Sequence, residues 1–272
     1  MTRWRRLVSS VLALALGSAT LHAAEPSAQP EALRVCADPD NLPFSREDGS
    51  GFENRIAQLL AQDLGRPLVY EWLPDRRGFV RKTLGAQLCD VIIGVPAGFE
   101  RTATTRPYYR SSYVLVERGS APPVRTWDDP NLARLRIGVQ LIGNDLAASP
   151  PGYVLASHGQ VTNVRGYPLA GEQPAAQRAI AAIERGEIDA AMLWGPQAGY
   201  FARRAAEPLR LQALPAPKDA AAPPLEYSIA MGVRRGDKQL REVLDDFIRR
   251  RQADIDGILA EYAVPRVAGV AP

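Results

Sequence analysis

The chain has 272 residues, with 33 Lys+Arg against 30 Asp+Glu and a formal net charge of +3. Three of those basic residues, Arg3, Arg5 and Arg6, lie in the first 24 positions, which hold no acid, so the remainder balances at 30 against 30. A neutral chain body gives no electrostatic footprint for nucleic acid, and two histidines with two cysteines are too few for a Cys/His metal cluster. The first predicted element is a leader. The basic start, the apolar run "LVSSVLALALGSATL" and the small residues of "LHAAEP" have the three parts of an export signal, expected to span 1–24 and to be cleaved. That run is shorter than the ~20 residues of a spanning helix, and no later stretch is longer or more apolar, so no membrane association is expected.

After the polar "AEPSAQPEA", Leu33–Ala37 reads as a strand running into the turn-forming Asp38-Pro39-Asp40-Asn41. "FENRIAQLLAQDLG" places Ile56, Leu59, Leu60 and Leu64 on one helical face, with Gly65 as its stop. "PLVYEWL" predicts a second strand, Phe79 to Leu84 a helix, and "CDVIIGV" a third strand. This βαβαβ order implies a parallel sheet with right-handed crossovers. "YVLVERGSAPP" is a strand leading into a proline-rich connection, and the cycle then restarts. "RIGVQ", a broken helical stretch around Asp145, "QVTNVRGY", the helix "QPAAQRAIAAIERG", the strand "EIDAAMLW" and the helix "PQAGYFARR" follow in turn. A low-complexity stretch, "ALPAPKDAAAPP", precedes a last strand, "LEYSIAMGV", and an amphipathic helix through Leu244, Phe247, Ile255 and Ile258. A lone strand and helix after two βαβ units is best housed by a return to the first lobe. The expected division is lobe one at 31–117, lobe two at 118–224 and a return segment at 225–265, with a ligand cleft between the lobes.

Cys36 and Cys89 present a conflict. An oxidising compartment favours pairing them. Yet Cys36 near the end of one strand and Cys89 at the start of its neighbour would be offset by about three residues, ~10 Å at strand rise. That is beyond the reach of a disulfide, so register weighs slightly against the bridge.

Three stretches carry a resemblance: "RVCADPDNLPFS", "RRGFVRKTLGAQLCDVIIGVPAGFERTATTRPYYRSSYV" and "DAAMLWGPQAGYFA". The whole resembles the α/β, two-lobed architecture of type II periplasmic binding proteins, two βαβ lobes joined by two crossover strands. The motifs resemble a narrower group, the solute-binding-protein-like J proteins associated with pyrroloquinoline-quinone (PQQ) methanol dehydrogenases. That resemblance implies a periplasmic accessory protein whose partner is a quinoprotein alcohol dehydrogenase, which it helps to mature or become active, with no cofactor of its own. The alternative is an importer receptor for a small non-amino-acid ligand; a small molecule or a peptide could occupy the cleft.

Amino-acid receptors of this fold grip the ligand carboxylate with an arginine in lobe one and its ammonium with an aspartate at a strand end in lobe two. Arg101 falls near the first position, but Trp194 stands at the second, followed by Gly195-Pro196, and an indole offers a cation at most its π face. Asn144 belongs to the loop after lobe two's first strand. Asp38, Asn41 and Phe44 follow the first strand, where a ligand wall is expected. The cleft thus reads as apolar on one wall, edged by arginine and lacking a zwitterion's paired charges. Arg76, Arg77 and Arg81, with Tyr108 and Tyr109 nearby, form the expected docking surface for an acidic partner. No metal site is expected. An enzyme is not expected either: there is no nucleophile elbow, no phosphate-binding loop and no His-centred pair, and Glu53 and Glu100 more simply cap or flank helices.

Overall fold

The computed structural model describes residues 31–120, 124–142, 147–169, 171 and 173–267. The leader, Asn144 and the stretch around Asp145 lie outside the described residues.

Strand β1 (Leu33–Ala37) leads through a small hairpin, β2 (Asp40–Asn41) and β3 (Ser45–Arg46), into helix α1 (Phe52–Leu64). Phe52, Ile56 and Leu60 recur at helical spacing and are fully buried, each worth about 1.5–3 kcal/mol relative to exposure. The helix ends at Gly65 in the left-handed conformation. β4 (Leu68–Trp72), the single-turn α2 (Phe79–Lys82) and β5 (Val91–Pro96) complete the first unit, and β1 pairs in parallel with both β4 and β5. After β6 (Ala103–Thr104) comes the long β7 (Tyr109–Arg118). The second unit contains β8 (Ile137–Ile142), β9 (Ala147–Ala148), α3 (Pro150–Ser157), β10 (Val164–Pro168), α4 (Ala175–Glu184), β11 (Ala190–Trp194) and α5 (Gly195–Ala202). Here β8 is parallel to β10 and β11. β12 (Leu209–Ala213), β13 (Glu226–Val233) and α6 (Lys238–Glu261) close the chain.

The strand order is β10-β8-β11-β7-β13-β5-β1-β4, so both halves meet at β7 and β13. Each of these two strands serves both sides. Tyr109–Ser112 of β7 pair with β13, whereas Tyr113–Arg118 pair with β11 and β12. β13 in turn pairs its first residues with β7 and its last with β5. β13 thus lies beside β5, and Leu244, Phe247, Ile255 and Leu259 of α6 share one core with α1 and β1. α6 bends at Arg251, and Asp63 at the end of α1 clasps Arg250 and Arg251 on either side of the bend.

Four details differ from the sequence expectations. Cys36 and Cys89 are joined in a buried disulfide with Cα atoms 5.5 Å apart. β5 begins only at Val91 and the chain bends at Asp90, so the extended-strand separation does not apply to Cys89. β7 starts at Tyr109 rather than at Tyr113, and β12 is an additional strand whose Leu209 and Leu211 pack beside β7. In the interval after β8, the described helix starts at Pro150, with prolines in its first turn where their missing N–H groups cost nothing.

Candidate functional site

The carboxyl ends of β1, β5 and β11 converge with β7 and β13 on an inner cavity of about 410 Å³. Asp38, Asn41, Phe44 and Trp194 all line it, so four of the expected cleft residues are brought together. Asp38 is held by local bonds: its Oδ1 accepts from Asp40 N at 2.9 Å, and its Oδ2 accepts from Asp75 N at 2.6 Å. An outer cleft of about 620 Å³ shares Asp38, Asn41, Phe44, Asp75, Tyr113 and Trp194 with the cavity and reaches across to Gln140 and Gln197 of the other half.

Trp194 ends β11, and its backbone is fixed from below. Gln140 Nε2 donates to Gln197 Oε1 at 2.7 Å, and Gln140 Oε1 accepts from Trp194 N at 3.1 Å. The following glycine is required by closeness, since a Cβ on Gly195 would lie 2.6 Å from Ser111 Oγ and from Ser112 O. Pro196 then opens α5. The indole packs at 5.2 Å from Tyr113 and 5.8 Å from Tyr227, ring centroid to ring centroid, making a three-ring wall.

Glu53 stands in the first turn of α1. Its carboxyl lies against Gly94 of β5 and lines the cavity, and no described residue donates a hydrogen bond to it. Burial, reinforced by the nearby charges of Asp75 and Asp38, pushes it up to about 8. Asp75 stands at the mouth with much of its surface open. The surrounding walls still displace water from it, and with the charge of Asp38 they raise it to about 6. No Lys, Arg or His is among the residues lining this cavity. The apolar wall read from the sequence is present, but the lining also carries the carboxyls of Asp38, Glu53 and Asp75. Glu53, read as a helix-flanking residue, is the group that sequence reasoning missed; the close pair Glu53–Gly94 comes from sheet packing that no local motif encodes.

The remaining expected residues separate. Arg101 is exposed and lines neither the cavity nor the outer cleft. The segment around it closes a turn, with Thr102 N donating to Phe99 O, and runs into β6 instead of starting a helix. Arg76 and Arg77 line the outer cleft and Arg81 is exposed on α2; none of the three makes an ion pair with a described residue. Tyr108 and Tyr109 are corrected from surface to core. They are 2% and 4% exposed, because β7 begins at Tyr109 and turns both rings under α1 and α6. Tyr108 Oη donates to Ile93 O at 3.1 Å, and Tyr109 packs edge-on against Phe52. Neither belongs to an exposed docking surface, although Tyr109 also lines the inner cavity.

A two-halved α/β sheet with a cavity at the strand ends between its crossovers defines a binding-protein scaffold, the type II periplasmic binding protein fold. Residues 33–264 match the bacterial extracellular solute-binding proteins, family 3, and the chain belongs to that family. Within it, the chain is 34% identical to Protein MoxJ of Paracoccus denitrificans over 262 residues, 92% of this chain and 94% of that one. The crystal structure of the periplasmic binding protein XoxJ from Methylobacterium extorquens AM1 superposes with a TM-score of 0.72 at 38% identity, covering 88% of this chain and all of the other. That of MxaJ from Methlophaga aminisulfidivorans MPT shares the fold, with a TM-score of 0.77 at 24% identity over 87% of this chain and 100% of that one.

Proposed function

We propose that this chain is a periplasmic accessory protein, exported by a cleaved leader, that binds a PQQ-dependent, methanol-type alcohol dehydrogenase and assists its maturation or activation. The observation that carries the reading is the likeness to Protein MoxJ along nearly the full length of both chains. The site supports it: Trp194 occupies the strand end where an amino-acid receptor of this fold would carry an aspartate, and Arg101 stands away from the cavity. Arg76, Arg77 and Arg81 form an exposed basic rim without ion-pair partners among the described residues, suited to steering an acidic surface of the dehydrogenase. In this reading residues 31–117 and 225–265 act as one body and 118–224 as the other.

The test is co-elution in size-exclusion chromatography, and pull-down, with the dehydrogenase in its apo and holo forms. A complex with either form supports the reading; reproducible absence of contact with both removes it. A second reading, an importer receptor for a small non-amino-acid solute, is favoured by the cavity of about 410 Å³, which is large enough for such a ligand. It requires ligand-dependent thermal stabilisation, and a flat response across a broad solute panel counts against it.

A further inference from the structure

The inner cavity has a chemical character that neither reading uses. Three carboxyl side chains that act on one another, Glu53, Asp38 and Asp75, line it together with the three packed rings of Tyr113, Trp194 and Tyr227, and no basic side chain is among its lining residues. A carboxylate partly withdrawn from water and without a donor is costly in its charged form, and an opposite charge within a few ångströms relieves that cost. Metal binding does not suit the arrangement: among the described residues no three His, Cys, Asp or Glu side chains converge closely enough to hold an ion. Carboxylates and aromatic rings lining one cavity instead suit a bulky cation, whose charge meets Glu53 while its apolar substituents lie on π faces. A ligand carboxylate would meet three carboxyl groups and no arginine among the lining residues, which discriminates against zwitterions.

We propose that this cavity is a binding site for a small alkylammonium cation that carries no carboxylate, held between Glu53 and the Trp194 ring. The site stands independently of whether the protein serves a dehydrogenase.

Binding is coupled to a proton. Besides the carboxyls of Asp38 and Asp75, the titratable groups that act electrostatically on Glu53 are the phenols of Tyr70, Tyr108 and Tyr109, all held neutral by burial. Glu53 is thus mostly protonated at neutral pH, and a bound cation favours its ionised form. Binding therefore expels a proton, and affinity rises with pH up to about 8 and levels off above it.

The experiment is isothermal titration calorimetry of the mature chain with choline. Its neutral carbon isostere 3,3-dimethylbutan-1-ol and its carboxylate-bearing relative glycine betaine serve as controls, from about pH 6 to pH 9 and in buffers of different ionisation enthalpy. The expected result is choline binding that strengthens by up to about tenfold per pH unit below pH 8 with proton release, and at least about tenfold weaker binding of both controls. Glu53→Gln, verified as folded by circular dichroism, is expected to lose at least about tenfold in affinity and the pH dependence with it. Equal binding of choline and its neutral isostere overturns the proposal without any variant being needed. So does the absence of choline binding at millimolar concentration, or unchanged binding by Glu53→Gln.

Discussion

Gly94 backs directly onto Glu53: a Cβ at position 94 would stand 2.0 Å from the Glu53 Oε1. The atom in the way is the end of a flexible side chain, so Gly94→Ala is expected to swing the carboxyl out of place without breaking the sheet. The cost to stability should be small, on the order of 1 kcal/mol for an unfavourable rotamer. The Glu53 carboxyl resonance, followed by NMR through a pH titration, should move toward the ordinary carboxylate range. An unchanged titration midpoint in a folded Gly94→Ala protein contradicts the placement.

The same carboxyl gives stability a pH slope of known sign. Its folded value of about 8 lies above the ordinary 4.5, so between those limits the folded chain holds a proton that the unfolded chain has released. Its contribution is complete below about 4.5 and is lost as pH rises toward 8. At ~1.4 kcal/mol per pH unit the loss amounts to at most a few kcal/mol. Urea midpoints of wild type are expected to fall between pH 5 and pH 8 (a range of roughly three units), whereas those of Glu53→Gln stay flatter and are higher at the alkaline end. Parallel profiles for the two proteins would show that Glu53 does not carry the slope.

The disulfide ties β1 to the loop before β5 across 53 residues of sequence, and Cys36 also lines the cavity. Chain-entropy arguments give about 4 kcal/mol for a closed loop of that size, an upper figure in practice. The Cys36→Ser, Cys89→Ser double variant is expected to lose about 2–4 kcal/mol in urea unfolding. Wild type treated with reductant under partly denaturing conditions should approach it. Insensitivity to both treatments would contradict a structural bridge.

Asp90 binds two arginines. It accepts from Arg34 Nε at 3.0 Å and Nη2 at 2.6 Å, and from Arg234 Nη2 at 3.0 Å. Burial works to raise this carboxyl, but the two guanidinium groups outweigh it and hold it below the usual range. Asp90→Ala leaves both cations without this partner just where the chain bends into β5. Because Arg34 is 38% exposed, the cost is expected to be about 2 kcal/mol, below the range for a fully buried pair. A midpoint shift under about 0.5 kcal/mol would show the cluster to be ornamental.

What the sequence revealed and what it hid follow one physical division. Helical spacing in α1 and α6 and the β–α alternation placed the sheet, because those signals are local and periodic. The cavity residues Asp38, Asn41, Phe44 and Trp194 were legible because strand ends are where such folds collect ligand-facing groups. Glu53 was not, since its role depends on β5 bringing Gly94 against α1. The Cys36–Cys89 bridge escapes a register argument that assumes extended chain, because the chain bends at Asp90. Tyr108 and Tyr109 resemble a docking surface only if β7 starts at Tyr113, four residues after its actual start. β12, a short edge strand beside a proline- and alanine-rich stretch, lacks any strong local signal of its own.

The most direct test of the proposed role is the dehydrogenase affinity of wild type and of the Arg76→Glu, Arg77→Glu, Arg81→Glu triple variant, by surface plasmon resonance at low and high salt. These side chains are exposed and have no ion-pair partners among the described residues, so the variant should fold normally. The expected result is saturable binding by wild type that weakens with salt, and a loss of at least about tenfold in the variant, mainly in association rate. No binding by wild type to either the apo or the holo dehydrogenase would contradict the accessory role itself, whereas salt-independent binding shared equally by the variant would move the interface away from this rim.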